Sequence, residues 1–256
     1  MLVAITRSVS PAIGQCEITH IPREPVSFER ANTQHRQYER ELVELGCDID
    51  RLPAEATLPD SVFIEDTAVV LDEVAVMTRP GAESRRAEVK AVAAVLGTYR
   101  DLLYIEAPGT LDGGDVVKLG RRLYVGGGQR SNADGIAQLR RFLRPLNYEV
   151  VAVQAHDCLH LKSAATSLDD DTLLLNPQWT DPAQFRDCNI IEIDSAEPPA
   201  ANALPVNGTL VYPRAFARTR ALLEQRNYRI RAVDLSELSK AEGAVTCCSL
   251  LFERGQ

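Results

Sequence analysis

A repeat with a period in the forties constrains the fold of this chain more than any other feature. Five stretches each begin with a short motif of polar or small residues, and in the first four two apolar runs follow, separated by a turn. A regular period of this length indicates several copies of one supersecondary unit. The stretches are residues 63–80, 111–128, 159–177, 200–213 and 247–254.

Each copy predicts the same order of elements: strand, turn, strand, helix, strand. The paired apolar runs are hairpin signals, and an apolar stripe at helical spacing follows in most copies. Helix starts are predicted at Ser84, at Ser131 or Asn132, and at Pro213, whereas the copy that begins at residue 159 offers only the short segment 181–187. The stripe over residues 28–45 supplies the fifth helix. The closing strands are predicted at residues 48–52, 102–107, 148–153, 189–193 and 228–233.

The fifth copy is divided between the two ends of the chain. Residues 3–8 resemble residues 74–80, so the first strand would complete the hairpin that residues 247–254 begin. Such an arrangement closes a ring. We therefore predict an α/β fold, a five-bladed pseudo-symmetric α/β propeller, with residues 1–256 forming a single domain closed by the N- and C-terminal strands. A doubly wound sheet is the alternative, and the regular spacing argues against it.

Composition narrows the class of function. The net charge is −8 and no cluster of Lys or Arg stands out, which argues against nucleic-acid binding. No apolar run reaches the length of a membrane span, and the first residues lack the pattern of a secretory signal, so a cytoplasmic location is expected. The six cysteines show no metal-binding spacing and are expected to be reduced thiols.

A thiol, an imidazole and several carboxylates would meet at the axis of such a ring. One position of each motif would face the axis, and these positions are 47, 48, 42 and 45 residues apart: Glu65, Asp112, His160, Asn202 and Cys247. Any one of them alone is more often structural. The adjacent carboxylates Glu65 and Asp66 interrupt an apolar run, however, and buried carboxylates are costly unless they are paired or hold a cation.

Several motifs resemble those of the dimethylarginine dimethylaminohydrolases, which belong to the guanidino-modifying superfamily with the pentein fold. The resemblance follows the chain in order from about residue 1 to the C-terminus. It is carried by SVFIEDTAVV (61–70), TRPGAESRR (78–86), LDGGDVV (111–117), LHLKS (159–163) and TCCSLL (246–251).

The resemblance implies a role for each matching residue. Cys247 corresponds to the nucleophile, His160 to the catalytic histidine and Asp112 to the carboxylate that orients the histidine. No role is carried onto the neighbouring Cys248. The implied substrate-binding residues are Asp60, Glu65 and Asp66 at the guanidinium, Arg85 and Arg130 at the α-carboxylate, and Ile18 and Ala241, whose backbone would contact the amino-acid end.

The implied reaction is hydrolysis of a small-molecule guanidino substrate, an Nω-methylated arginine, to citrulline and an amine. A thiolate is the side chain best able to attack the poorly electrophilic guanidinium carbon. Histidine can protonate the departing amine and then activate the water that resolves the covalent thiouronium. This chemistry requires no metal and no organic cofactor, and neither nucleic acid nor a membrane is expected as a partner. The sequence leaves the oligomeric state open.

Three other functions remain open at this stage. Arginine deiminases have the sequence HLD at the histidine motif, with an acidic residue where this chain has Lys162. They are also generally longer. Amidinotransferases share the thiol, imidazole and carboxylate motifs but pass the intermediate to an amine. A non-catalytic propeller protein would not need Cys247, His160 and Asp112. A metal site at His156 and His160 is disfavoured because that stretch is predicted to be strand and loop.

The segment 14–24 shows no periodicity and precedes a predicted helix. Irregular loops of this kind commonly act as lids over binding sites. We predict that this segment, called the flap below, is mobile and covers the site.

Overall fold

Fifteen strands form five three-stranded sheets in the computed structural model, which describes residues 1–255. In every sheet the first two strands of the unit are antiparallel and the third runs parallel to the second. The first four sheets are β3 (Ala68–Val70), β4 (Val74–Met77) and β5 (Asp101–Tyr104); β6 (Val116–Leu119), β7 (Arg122–Gly126) and β8 (Glu149–Val153); β9 (Ala165–Ser167), β10 (Thr172–Leu175) and β11 (Asn189–Glu192); and β12 (Leu204–Val206), β13 (Thr209–Pro213) and β14 (Arg229–Val233).

The fifth sheet joins the two ends of the chain, as predicted. It contains β15 (Leu250–Glu253), β1 (Leu2–Arg7) and β2 (Asp48–Leu52). β1 is antiparallel to β15, with Val3 opposite Phe252 and Ile5 opposite Leu250. Side chains of these strands pack in one apolar cluster with Met77 of the neighbouring sheet. The N- and C-terminal strands therefore close the ring.

Helices connect the second and third strands of four sheets. α1 (Phe28–Glu44), α2 (Val89–Leu96), α3 (Ala133–Leu143) and α5 (Ala217–Gln225) occupy these connections, and the sheet of β9, β10 and β11 has the short 3-10 helix Pro182–Gln184 instead. Two single-turn helices, α4 (Leu161–Ala164) and α6 (Ser236–Ser239), lie elsewhere. Asn132 caps α3 by accepting from the Gly135 N–H at 2.9 Å, which decides between the two predicted starts of that helix.

Two predicted helix starts are wrong. Pro213 is the last residue of β13, paired with Val233, and the helix begins at Ala217. Proline is compatible with the end of a strand because no ladder hydrogen bond is then lost. The α-helix predicted to begin at Ser84 begins at Val89, after a 3-10 helix over Glu83–Glu88. The Ser84 hydroxyl donates to Glu17 Oε1 at 2.7 Å, and no side chain caps the 3-10 helix.

The first strand of each unit lines the axis of the ring. A cavity of about 390 Å³ runs along this axis and is lined by residues from all five inner strands, among them Val69, Val117, Thr166, Leu204 and Leu251. The functional motif of each unit directly precedes its inner strand, so the five motifs meet at one end of the axis. Among residues 1–255, no helix has the length and apolar character needed to span a membrane.

Candidate active site

Hydrogen bonds join the motifs of different blades. Glu65 accepts from Lys162 Nζ at 2.5 Å and from Thr246 Oγ1 at 2.8 Å. Asn202 donates to the Lys162 carbonyl and to Thr246 Oγ1, both at 3.0 Å. These contacts link four of the five blades through side chains that the sequence places far apart.

His160 lies buried between two carboxylates. Its Nε2 is 3.1 Å from Asp112 Oδ2, and its Nδ1 is 3.8 Å from Asp66 Oδ1. Asp112 is itself held by the Gly81 N–H, which donates to Oδ1 at 2.8 Å. With Nε2 engaged by Asp112, Nδ1 is the ring nitrogen placed to exchange a proton with a substrate.

The surrounding carboxylates favour the protonated imidazole. Burial lowers the pKa of His160, but the charge of Asp66, then the hydrogen bond to Asp112 and the charge of Asp115, outweigh burial and raise it to about 9. Burial also acts to raise the pKa of Asp66, whereas His160 and Arg85 lower it to about 2. The structure thus supports an imidazolium beside an ionised Asp66 at neutral pH, a form that can act as a general acid.

The segment around Cys247 is fixed on several sides. Its amide donates to the Ala244 carbonyl and its own carbonyl accepts from the Glu65 N–H, both at 3.2 Å. Tyr38 of α1 donates to the Val245 carbonyl at 2.9 Å and its hydroxyl is 2.7 Å from Ser249 Oγ. Cys248 is fully buried, with its thiol directed at the Ala244 carbonyl at 3.6 Å.

The electric field at Cys247 opposes ionisation of the thiol. Burial, followed by the negative charges of Glu65 and Asp66, raises the pKa of Cys247 well above its ordinary value. A cation bound beside these two carboxylates would offset their charge and favour the thiolate. The site therefore suits a nucleophile that becomes reactive when a cationic substrate arrives.

Glu65 and Asp66, the predicted guanidinium ligands, both have protein partners of their own. Burial raises the pKa of Glu65 against the opposing charge of Lys162. Asp66 Oδ1 accepts from the Gly114 N–H at 2.9 Å, and its Oδ2 accepts from Arg85. Lys162 is the residue at which the histidine motif differs from that of the arginine deiminases. Its ammonium group is thus a direct partner of Glu65, a predicted guanidinium ligand.

Asp60 and Arg130 contact the flap. Both carboxylate oxygens of Asp60 accept from the Glu17 N–H at 3.2 Å, and Arg130 Nη2 donates to Thr19 Oγ1 at 3.3 Å. Ile18 lies between Glu17 and Thr19, the two flap residues that these contacts hold. A cavity of about 180 Å³ is lined by His160, Arg130, Asp115 and the flap residue His20. The flap therefore lines the same cavity as two of the predicted site residues, and its covering of the site stays a prediction.

Ala241 is buried next to a residue that contacts the flap. Its N–H donates to the Leu238 carbonyl at 3.0 Å, and the next residue, Glu242, has a left-handed backbone with φ of 58°. The Glu242 carboxylate accepts from three consecutive flap amides: Thr19 at 2.9 Å, His20 at 2.6 Å and Ile21 at 3.2 Å. No sequence pattern predicts this contact.

Arg85 is buried and its guanidinium faces inward. It pairs with Asp66 and with Glu88, and it donates to the Phe63 carbonyl at 2.9 Å. Sequence reasoning had placed it at the substrate's α-carboxylate. The structure joins it to the residues of the predicted guanidinium end.

A second aspartate of the LDGGD motif was also missed. Asp115 Oδ2 accepts from Ser131 Oγ at 2.6 Å, and its Oδ1 accepts from the Leu161 N–H at 3.1 Å, next to His160. Burial raises the pKa of Asp115 to about 6. The LDGGD motif offered a signal for Asp115, because it places a second carboxylate after two glycines. A carboxylate that is buried there needs hydrogen-bond partners.

Donor atoms of Asp66, Asp112 and His160 all lie within 4.8 Å of one another, a grouping that could accommodate a metal ion. Each of these side chains already has a protein partner, as described above. His156 is exposed and pairs with Asp157 at 2.9 Å in a loop, so it is not placed on a helical face with His160.

Known proteins share both the sequence and the fold. The arginine deiminase family model matches residues 56–205. The chain is 40% identical over 250 residues to an N(G),N(G)-dimethylarginine dimethylaminohydrolase of Streptomyces coelicolor, covering 96% of this chain and 95% of the relative. It is 37% identical over 227 residues to the enzyme of the same name from Pseudomonas aeruginosa, covering 88% and 89%.

A solved structure extends the comparison to the fold. A Cys-to-Ser variant of DDAH from Pseudomonas aeruginosa, complexed with citrulline, superposes with a TM-score of 0.93 and 34% identity, covering 97% of this chain and 98% of that one. The N-terminal domain of ArgZ, an arginine dihydrolase, shares the fold with a TM-score of 0.83 at 21% identity.

The fold and the thiol–imidazole–carboxylate site define a pentein hydrolase. Within this class, the chain belongs to the dimethylarginine dimethylaminohydrolase family.

Proposed function

We propose that this chain hydrolyses Nω-methylated arginines to citrulline and the corresponding methylamine, with Cys247 as the nucleophile. The observation that carries this proposal is the placement of His160 between Asp112 and Asp66, where the residue before Asp66, Glu65, donates its N–H to the Cys247 carbonyl. The names of its relatives point to the same substrates.

The first half-reaction forms a covalent thiouronium. The Cys247 thiolate attacks the guanidinium carbon while Glu65 and Asp66 balance the substrate's positive charge. Protonated His160 gives its proton to the substituted nitrogen, the carbon–nitrogen bond breaks, and dimethylamine or methylamine leaves. The sulfur of Cys247 is then covalently bonded to the former guanidinium carbon.

The second half-reaction releases citrulline. Neutral His160 takes a proton from water, and the resulting hydroxide attacks the same carbon. The carbon–sulfur bond then breaks and returns the thiolate, the remaining hydroxyl proton is released to solvent, and the ureido group of citrulline is left. Asp112, which holds Nε2, keeps the ring oriented in both steps.

The amino-acid end of the substrate has a separate set of groups. We assign Arg130 to the α-carboxylate, Asp60 to the α-ammonium, and the backbone of Ile18 and Ala241 to further contacts. Asp60 and Arg130 already contact the flap, which supports a site that closes around this end. Since the groups come from different blades, we also propose that the five blades act as a single catalytic domain.

A citrulline colour assay tests this function. Dimethylarginine, monomethylarginine and arginine are offered in parallel to the wild type, to Cys247→Ser and to the matched neighbour variant Cys248→Ser. We expect citrulline from the methylated substrates, lost in Cys247→Ser and retained in Cys248→Ser. Citrulline mainly from arginine would instead define a deiminase, and activity retained in Cys247→Ser would place the nucleophile elsewhere.

A further inference from the structure

A second cavity adjoins the proposed active site and has no role in the mechanism above. Its volume is about 510 Å³, compared with about 180 Å³ for the cavity beside Arg130. The flap residue His20 and the loop residues Cys158 and Leu159 line both cavities, so the two spaces share one wall. The larger space is called the side cavity below.

The side cavity reaches the residues that carry the reacting groups. Leu159, which lines it, directly precedes His160 in the chain. Ala244, which also lines it, accepts the Cys247 N–H at 3.2 Å through its backbone carbonyl. A substituent on a guanidinium that is held between the thiol and the imidazole therefore has a space into which it can extend.

The interior of the side cavity is mainly apolar. Ile21 of the flap is 39% exposed although it is a large apolar side chain, and it lies at this cavity. Further apolar side chains of the lining are Leu159, Trp179, Phe216 and Leu235. Covering such surface favours the binding of an apolar group, because apolar surface then leaves water.

The charged side chains around the side cavity are engaged elsewhere. Glu242 accepts from the flap amides, and Asp157 pairs with His156 at 2.9 Å. Asp234 accepts from a backbone N–H of α6 at 3.0 Å, and Arg214 is exposed to solvent. A charged occupant would therefore lack a free counter-ion inside the cavity, whereas a neutral apolar occupant needs none.

We propose that the side cavity receives the substituent on the reacting nitrogen of the substrate, so that the enzyme also hydrolyses arginines with a linear alkyl chain, from propyl to pentyl, on that nitrogen. This inference rests on the proposed function and extends its substrate class. The Cys247 sulfur bonds to the guanidinium carbon, His160 protonates the substituted nitrogen, and the carbon–nitrogen bond breaks. A primary alkylamine leaves, and water then releases citrulline as with the methylated substrates.

Steady-state kinetics with Nω-methyl-, Nω-propyl- and Nω-pentyl-L-arginine test this proposal through the citrulline that each substrate yields. Each methylene that leaves water should lower KM by up to about fourfold with little change in kcat. We therefore expect kcat/KM to rise from the methyl to the pentyl substrate. A kcat/KM that falls with chain length would overturn the inference and leave the hydrolysis of methylarginine standing.

A larger side chain at Ala244 should close the side cavity next to the thiol. We expect Ala244→Leu to lower kcat/KM about tenfold more for the pentyl than for the methyl substrate. Both substrates use the same catalytic groups, so general damage to the enzyme does not change this ratio. Ala137→Leu, on the exposed face of α3, is the control and should leave the ratio unchanged. An unchanged ratio in Ala244→Leu would overturn the inference; if that variant does not fold, Ala244→Val takes its place.

Trp179 provides a readout that does not depend on turnover. It is the single tryptophan of the chain, and it lines the side cavity. In Cys247→Ser, we expect Nω-pentyl-L-arginine to produce a saturable change in tryptophan emission that L-arginine does not produce. Equal changes with both compounds would overturn the inference. A pentyl-specific change without citrulline from any methylarginine would contradict the proposed function and leave the side cavity as a site for an apolar substituent.

Discussion

His160 is the residue whose chemistry depends most on its neighbours. Asp66, Asp112 and Asp115 are all buried, and together they reverse the effect of burial on the imidazole. Because its pKa is raised from 6.5 to about 9, protonated His160 also stabilises the fold. That contribution is complete below pH 6.5 and disappears as the pH rises through about 9.

Asp66→Asn should lower the pKa of His160 below the value of about 9, because the variant loses the largest charge that favours the imidazolium. Proton NMR titration of the imidazole resonances measures this directly. The chain has four histidines, so the signal that disappears in His160→Gln identifies the one of interest. A His160 pKa that does not change in Asp66→Asn would contradict this electrostatic account.

The sequence predicts candidate reacting side chains but not the residues that support them. Cys247, His160 and Asp112 lie in motifs with a chemical signature of their own. Glu88 and Thr246 have no such signature, because their roles depend on hydrogen bonds to Arg85 and Glu65 that form only in the folded protein. Glu88 follows Arg85 by three residues in an ordinary polar stretch, and Thr246 meets Glu65 across 181 positions of the chain.

At the scale of elements, the flap is held by charged residues from several parts of the ring, among them proposed substrate ligands. Asp60 accepts from the Glu17 amide, Arg130 donates to the Thr19 hydroxyl, and Glu242 accepts from the amides of residues 19–21. Two of these three are proposed substrate ligands, so substrate and flap would share the same charged groups. The mobility of the flap stays a prediction.

Glu242→Gln should loosen the flap, since charge-assisted hydrogen bonds to its three amides are lost or weakened. Each such bond contributes about 1–3 kcal/mol, so trypsin cleavage after Arg23 should become about tenfold faster. Amide exchange at residues 19–21 should accelerate in parallel. Glu149→Gln, at an exposed carboxylate that pairs with Arg122, is the control. Equal cleavage rates in both variants would remove Glu242 from flap closure.

The pattern of elements was predictable because hydrophobic periodicity reflects local geometry. β2 spans the predicted residues 48–52, and the other closing strands begin within one residue of the prediction. The starts of two helices were wrong because local signals competed with tertiary contacts. Ser84 bonds a flap residue instead of capping a helix, and Pro213 pairs within a sheet.

At the scale of the whole molecule, closure of the ring depends on β1 and β15. Ile5 is fully buried and packs with Leu250 and Phe252 from the other end of the chain. The site needs this closure, because Cys247 directly precedes β15 while Glu65 and His160 come from other blades.

Ile5→Ala should therefore destabilise the protein by about 2–5 kcal/mol, the usual effect of emptying a core position. Thermal unfolding followed by circular dichroism should show one transition, as expected if all blades form a single domain. Val43→Ala, at a side chain that is 55% exposed, should change the stability little. Two separate transitions would contradict the single-domain interpretation.

The central claim is covalent catalysis at Cys247, and acid quenching during turnover of dimethylarginine tests it most directly. Trypsin cleaves after Lys240 and Arg254, and tandem mass spectrometry of residues 241–254 distinguishes Cys247 from Cys248. We predict an S-linked thiouronium adduct on Cys247 that accumulates within the first turnover and is absent in Cys247→Ser. Citrulline formation without any adduct, or an adduct on Cys248, would contradict the account.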